Sequence, residues 1–164
     1  ILGPGFARNT PSIDAIEAMS MGALRFGAPD MNFPLVDVRD VVAAHLLAAE
    51  KDCEGRFAAI NDTQPTFRSM LETMHAIDPK IPLPMMQMPR FLARALPLFD
   101  RLNHAMLGTP KSLSSELAAS LQGKIWNVSN RRAKERLGWR QSITMEQSLR
   151  DTLETIRANR NRHA

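Results

Sequence analysis

Phe33-Pro34-Leu35-Val36-Asp37-Val38-Arg39-Asp40-Val41-Val42-Ala43-Ala44-His45-Leu46 is the stretch that decides the fold of this chain. Its first six residues read as a short strand, apolar and β-branched, that stops at a carboxylate. Pro34 has no N–H to give to a ladder, which places that strand at a sheet edge. Asp40 stands where it can cap a helix running from Val41 to about Glu50. Val41, Val42, Ala44, Leu46, Leu47 and Ala48 make this helix apolar on most faces. A helix of that kind is expected to be buried on several sides and to need a sheet to cover.

Outward from this joint, Ile1-Leu2-Gly3-Pro4-Gly5 reads as a strand stub entering a turn. Ser12 offers an N-cap to a helix whose apolar positions are Ile13, Ile16, Met19 and Ala23. Gly27 to Asn32 is a turn region. After the central helix, Gly55 breaks the chain and Arg56 to Ile60 reads as another strand. Thr66 caps a helix carrying Phe67, Met70, Leu71 and Met74. Pro79, Pro82, Pro84 and Pro89 divide a methionine-rich loop. A helix is expected from Pro89, with Phe91, Leu92, Ala95 and Leu96, kinked at Pro97 and continued by Leu98, Phe99, Leu102 and Met106. Gly108 to Ser115 reads as a loop and Ile125 to Val128 as a short strand. Ser129 or Asn130 can cap the helix that follows, and Gly138 can close it in the left-handed conformation. Thr144 and Gln147 form a capping-box pattern ahead of a last helix striped by Met145, Leu149, Leu153 and Ile156. Short strands separated by helices are the rhythm of an α/β protein, with too few strands for a complete doubly wound sheet.

Composition bounds the function. With 164 residues, 44% hydrophobic and 23% charged, the chain has the make-up of a globular domain. No apolar run approaches the roughly 20 residues that span a bilayer. No secretory signal is visible, and the chain opens on Ile1 rather than Met, as expected of a chain trimmed or cut from a longer one. The single cysteine, Cys53, excludes a disulfide framework and points to a reducing, cytoplasmic compartment. Asp52 and Glu54 flank it and disfavour its thiolate. The net charge of +4 gathers late, at Arg131, Arg132, Lys134, Arg136 and Arg140 and again at Arg157, Arg160 and Arg162. A basic tail can bind nucleic acid, but without interleaved aromatics or zinc-finger spacing it reads as cations at the end of a last helix. His75, His104 and His163 show no ligand spacing, so no metal is expected. There is no tyrosine, so no mechanism using a phenol as acid or base can be run by this chain alone.

Three segments carry a likeness: Leu2-Gly3-Pro4; Leu35-Val36-Asp37-Val38-Arg39-Asp40-Val41 with Ala44-His45-Leu46; and Asn127-Val128-Ser129-Asn130 with Ala133, Leu137-Gly138-Trp139 and Ser148-Leu149-Arg150-Asp151-Thr152-Leu153. In this order they resemble the extended short-chain dehydrogenase/reductase family, which is NAD-dependent epimerase/dehydratase-like, and in particular its dihydroflavonol-reductase-like branch. Arg39 beside Asp40 favours the reductase branch over the sugar-nucleotide epimerases. The resemblance implies a Rossmann-type α/β enzyme that uses NADP or NAD to reduce a carbonyl group of a small organic substrate. It also implies a Gly-rich phosphate turn and a Tyr-x-x-x-Lys pair, neither of which is present. The expected fold is therefore the C-terminal part of such a reductase, mostly helical with a few short strands and the central sheet largely missing. The dinucleotide-binding half would be absent and the chain inactive alone.

By that resemblance Ile1 and Leu2 lie on the strand that passes the nicotinamide, with Asn9 and Thr10 near the same edge. Ser12 resembles a serine that reaches the cofactor phosphates; a plain helix cap fits it equally, since both uses need the same helix terminus. No catalytic residue is assigned. Asp37 and Asp40 could form an acid–base pair, but capping and pairing with Arg39 is the reading adopted, because a helix N-terminus keeps carboxylates charged. His45 reads as a satisfied buried histidine, and Trp126 and Trp139 as packing residues. Met85, Met86 and Met88 are the candidate substrate-binding residues, in the region where the family places its variable lid; with Phe91 and Phe99 they could equally be core. Two other functions stay open: a fragment of a sugar-nucleotide epimerase or dehydratase, and a non-catalytic binding module. The oligomeric state cannot be read.

Overall fold

The computed structural model describes residues 1–25, 28–29, 32–85, 87–88 and 128–163. The expected helices after Pro89, the loop at Gly108 to Ser115, and Ile125 to Asn127 with Trp126 lie outside the described residues. The chain divides into two compact units, one built from residues 1–7, 33–65 and 126–164, the other from residues 8–32 and 66–125.

The first unit is organised by α2, Val38–Glu50. Asp37, not Asp40, is its N-cap: the Asp37 backbone is extended and its carboxylate accepts the Arg39 N–H. The helix therefore begins three residues earlier than the sequence suggested. Asp40 falls inside the first turn, fully buried. Its carboxylate accepts the Ser142 N–H and hydroxyl and, through the other oxygen, the Ile143 N–H. The Trp139 indole N–H donates to the Asp40 carbonyl at 2.8 Å. Val36, Ala44, Ala133, Leu137 and Trp139 form the core against that face of α2, with Val41, Leu47, Ala48, Cys53, Phe57 and Ala59 partly buried around it.

The opposite face of α2 is open. Val42 is 51% and Leu46 58% exposed. His45 is exposed as well, with its Nδ1 2.8 Å from the Val41 carbonyl, so the expected burial on several sides and the buried histidine are both corrected. The helix ends at Lys51–Asp52, where Asp52 takes a positive φ of 46°.

The expected strand at Phe33 to Val38 contracts to one parallel bridge, Leu2 to Asp37. The partner strand ends at once, because Gly3 has a φ of 119° and Pro4 follows it, so the ladder cannot propagate. Arg56 to Ile60 forms no strand either; its segment is tied by the Asn61 N–H to the Leu35 carbonyl at 2.7 Å. Ser129 accepts the Arg131 N–H at 3.2 Å, but the π-helical segment that follows, Ala133–Leu137, has Arg132 at its N-cap position with no side-chain cap bond. Gly138 closes it in the left-handed conformation, φ 69°, as its position predicted. Lys134 and Asn130 both reach the Asp62 carboxylate, holding it below its usual pKa. The last helix, α4, spans Met145–His163. Leu149, Leu153 and Ile156 are buried along it as expected, together with Ser148 and Thr152.

The second unit pairs α1, Pro11–Ser20, with α3, Phe67–Ile77. Thr66 caps α3 through a full capping box with Ser69, and Met70, Leu71 and Met74 are buried. Ile13, Ile16 and Met19 are buried on α1; Ala23 lies beyond its end and is exposed, with Leu24 buried in its place. Two two-residue strands, β1 (Ala28–Pro29) and β2 (Gln87–Met88), pair in parallel. Among the described residues these are the only named strands, so the protein is mostly helical and carries no central sheet there. No described helix is long and apolar enough to cross a membrane.

Asp40→Ala removes one acceptor from three donors at once. We expect a loss of about 2–4 kcal/mol in urea unfolding followed by Trp fluorescence. A change below about 0.5 kcal/mol would show that the carboxylate does not organise the unit.

Candidate functional site

The residues the sequence associates with a cofactor edge fall in both units, Ile1 and Leu2 in the first and Asn9, Thr10 and Ser12 in the second. In the first, Leu2 is clamped on both sides of Asp37. Its N–H donates to the Val36 carbonyl at 2.9 Å, and its own carbonyl accepts the Val38 N–H at 2.8 Å. The Leu2 side chain is buried. What a ligand can reach on this edge is Ile1, which is 58% exposed.

Gly3 follows, and the fold closes around it. Its N–H donates to the Thr152 hydroxyl at 2.9 Å, and that hydroxyl donates onward to the Ser148 carbonyl at 2.7 Å. A Cβ at Gly3 would sit 2.8 Å from Val38 Cγ1 and 3.0 Å from Asp37 Oδ2, so only glycine fits. Beside it, Arg39 grips Asp37 with two nitrogens, Nε to Oδ1 at 2.8 Å and Nη2 to Oδ2 at 2.9 Å. Arg39 also reaches Asp151 on α4 at 2.7 Å. Burial pushes the Asp37 carboxyl up, but the Arg39 side chain, the Arg39 N–H and the Arg39 charge hold it below the usual 3.8. The nearby Ser148 hydroxyl is buried and makes no hydrogen bond, so Arg39 is what keeps Asp37 charged. The same pairing raises the pKa of Arg39, with the Asp37 hydrogen bond as the largest cause and burial opposing it.

Asp37 and Asp40 are thus not a free acid–base pair. Asp37 is neutralised by Arg39, and Asp40 is spent on Ser142 and Ile143 rather than on Arg39. Thr152, Asp151 and Ser142 were not singled out as tying residues by sequence reasoning. The available signal was Thr152, which with Ser148 lies on the inward stripe of α4 beside Leu149 and Leu153.

In the second unit, α1 starts at Pro11, with Thr10 at the N-cap position in extended conformation and no side-chain cap bond. Ser12 is half-buried inside the first turn, so the helix-cap reading of Ser12 is corrected. Asn9 donates to Glu17 at 2.7 Å across the same helix. Met85 is 77% exposed, and its N–H donates to the Arg25 carbonyl. Met88 lies in β2, and Met86 lies outside the described residues. Among the described residues no group of three or more His, Cys, Asp or Glu is placed to hold a metal ion. Cys53 is partly buried, its sulfur 4.0 Å from the Arg136 carbonyl.

These contacts belong to a fold shared with solved structures. No protein-family model matches the chain, and no curated protein matches it. Among solved structures, gox2253 matches with a TM-score of 0.69 at 18% identity, over 96% of this chain and 46% of that one. RMD from Pseudomonas aeruginosa, solved in complex with NADPH, matches with a TM-score of 0.53 at 20% identity, again over 96% and 46%. The chain therefore spans about half the length of the structures it matches, and at these identities the likeness establishes the fold.

Two predictions follow from the Gly3–Asp37 knot. Gly3→Ala puts a side chain on a backbone already at φ 119° and adds close contacts with Val38 and Asp37, and should destabilise by about 1–3 kcal/mol; a neutral result in a urea titration would mean the edge relaxes freely. Asp37 has a folded pKa below its unfolded one, so its contribution is fully present above the usual 3.8 and is lost as pH falls through the folded value. Melting curves taken from about pH 5 down to about pH 2 should show wild type losing its advantage over Asp37→Asn. An advantage that stays constant across that range would contradict the pairing.

Proposed function

We propose that this chain is the C-terminal, substrate-side portion of an NAD(P)-dependent oxidoreductase of the extended short-chain dehydrogenase/reductase type. The observation that carries this reading is the match of 96% of the chain to RMD solved with NADPH, a chain of which more than half lies outside the match. The second support is the order of motifs, in which Leu2-Gly3-Pro4, the Asp37–Asp40 joint and the segment from Ser129 to Leu153 meet in one unit. The substrate class is a small organic carbonyl compound, reduced with NADP or NAD, in the dihydroflavonol-reductase-like manner.

In this reading Ile1 and Leu2 belong to the edge that passes the nicotinamide, with Ile1 the reachable residue. Ser12, in the first turn of α1, stands where backbone N–H groups favour phosphate. Met85, Met86 and Met88 belong to the substrate side, where flexible thioethers suit irregular apolar molecules. With no tyrosine in the chain, a phenol for proton transfer would have to come from the remainder of the enzyme, as would most of the dinucleotide site. On the same reading we propose a cytoplasmic protein with no nucleic-acid or membrane partner, which its single cysteine and the lack of aromatics among its basic residues support.

The test is an assay of the purified chain for NADPH oxidation with aldehyde and ketone substrates. We expect no turnover above buffer; measurable turnover overturns the reading. In parallel, the open face of α2 should bind ANS, and Val42→Asp with Leu46→Asp should lower that fluorescence without shifting the melt. A sharp melt with no ANS binding would instead favour a self-sufficient binding module.

A further inference from the structure

We draw no further inference here: the strongest candidate, the open face of α2 formed by Val42, His45, Leu46 and Ala49, carries nothing because nothing in the structure shows what covers it.

Discussion

The Asp40 carboxylate is the constraint on which the rest of the first unit depends. It is fully buried, lies in the first turn of α2, and receives hydrogen bonds from two consecutive residues about a hundred positions later. A buried carboxylate without such donors would cost several kcal/mol, so its burial and its partners cannot be separated. With Trp139 fixed to the Asp40 carbonyl, one turn of helix orients the indole and places Ala133 and Leu137 over Ala44. The loop before α4 is thereby anchored to the first turn of α2.

A second tie works beside it and joins the chain start to α4. Gly3 gives its N–H to Thr152, while Arg39 links Asp37 to Asp151 one residue away on the same helix. Here the energetics differ. The Asp37–Arg39 pair is bidentate with one member buried, the geometry in which an ion pair holds its shape; the exposed pairs Arg68–Glu72 and Arg150–Glu146 contribute a few tenths of a kcal/mol at most. The positive φ of Gly3 and the missing Cβ are what let Asp37, Val38 and Thr152 converge on one backbone segment.

Helix existence was legible because capping chemistry and apolar spacing agree locally, as at Thr66 and Ser69 or at Gly138. Strands were not, because a strand needs a neighbour. Phe33 to Val38 has the composition of a strand, yet Leu2 offers it a single bridging residue before Gly3 and Pro4 turn away. The site was legible only as far as it is local. Leu2-Gly3-Pro4 marks a turn by itself, whereas the roles of Thr152 and Asp151 depend on partners about 150 and about 110 residues away, which no spacing rule connects.

The orientation of α2 shows how one polar residue overrides an apolar pattern. By apolarity alone, Val42 and Leu46 are among the best candidates for burial in this helix. At 3.6 residues per turn, however, they lie roughly 200° and 240° around the axis from Asp40, while Ala44 lies about 40° from it. Burying Asp40 with Ala44 therefore turns Val42 and Leu46 outward. Two exposed aliphatic side chains forgo about 1.5–3 kcal/mol of burial each at most. Turning Asp40 out instead would strip the Ser142 and Ile143 donors of their acceptor and break the Trp139 bond that seats the core. The polar network takes precedence because its donors are fixed in place by Trp139 and α4, whereas an aliphatic face is non-directional and can remain open until something covers it.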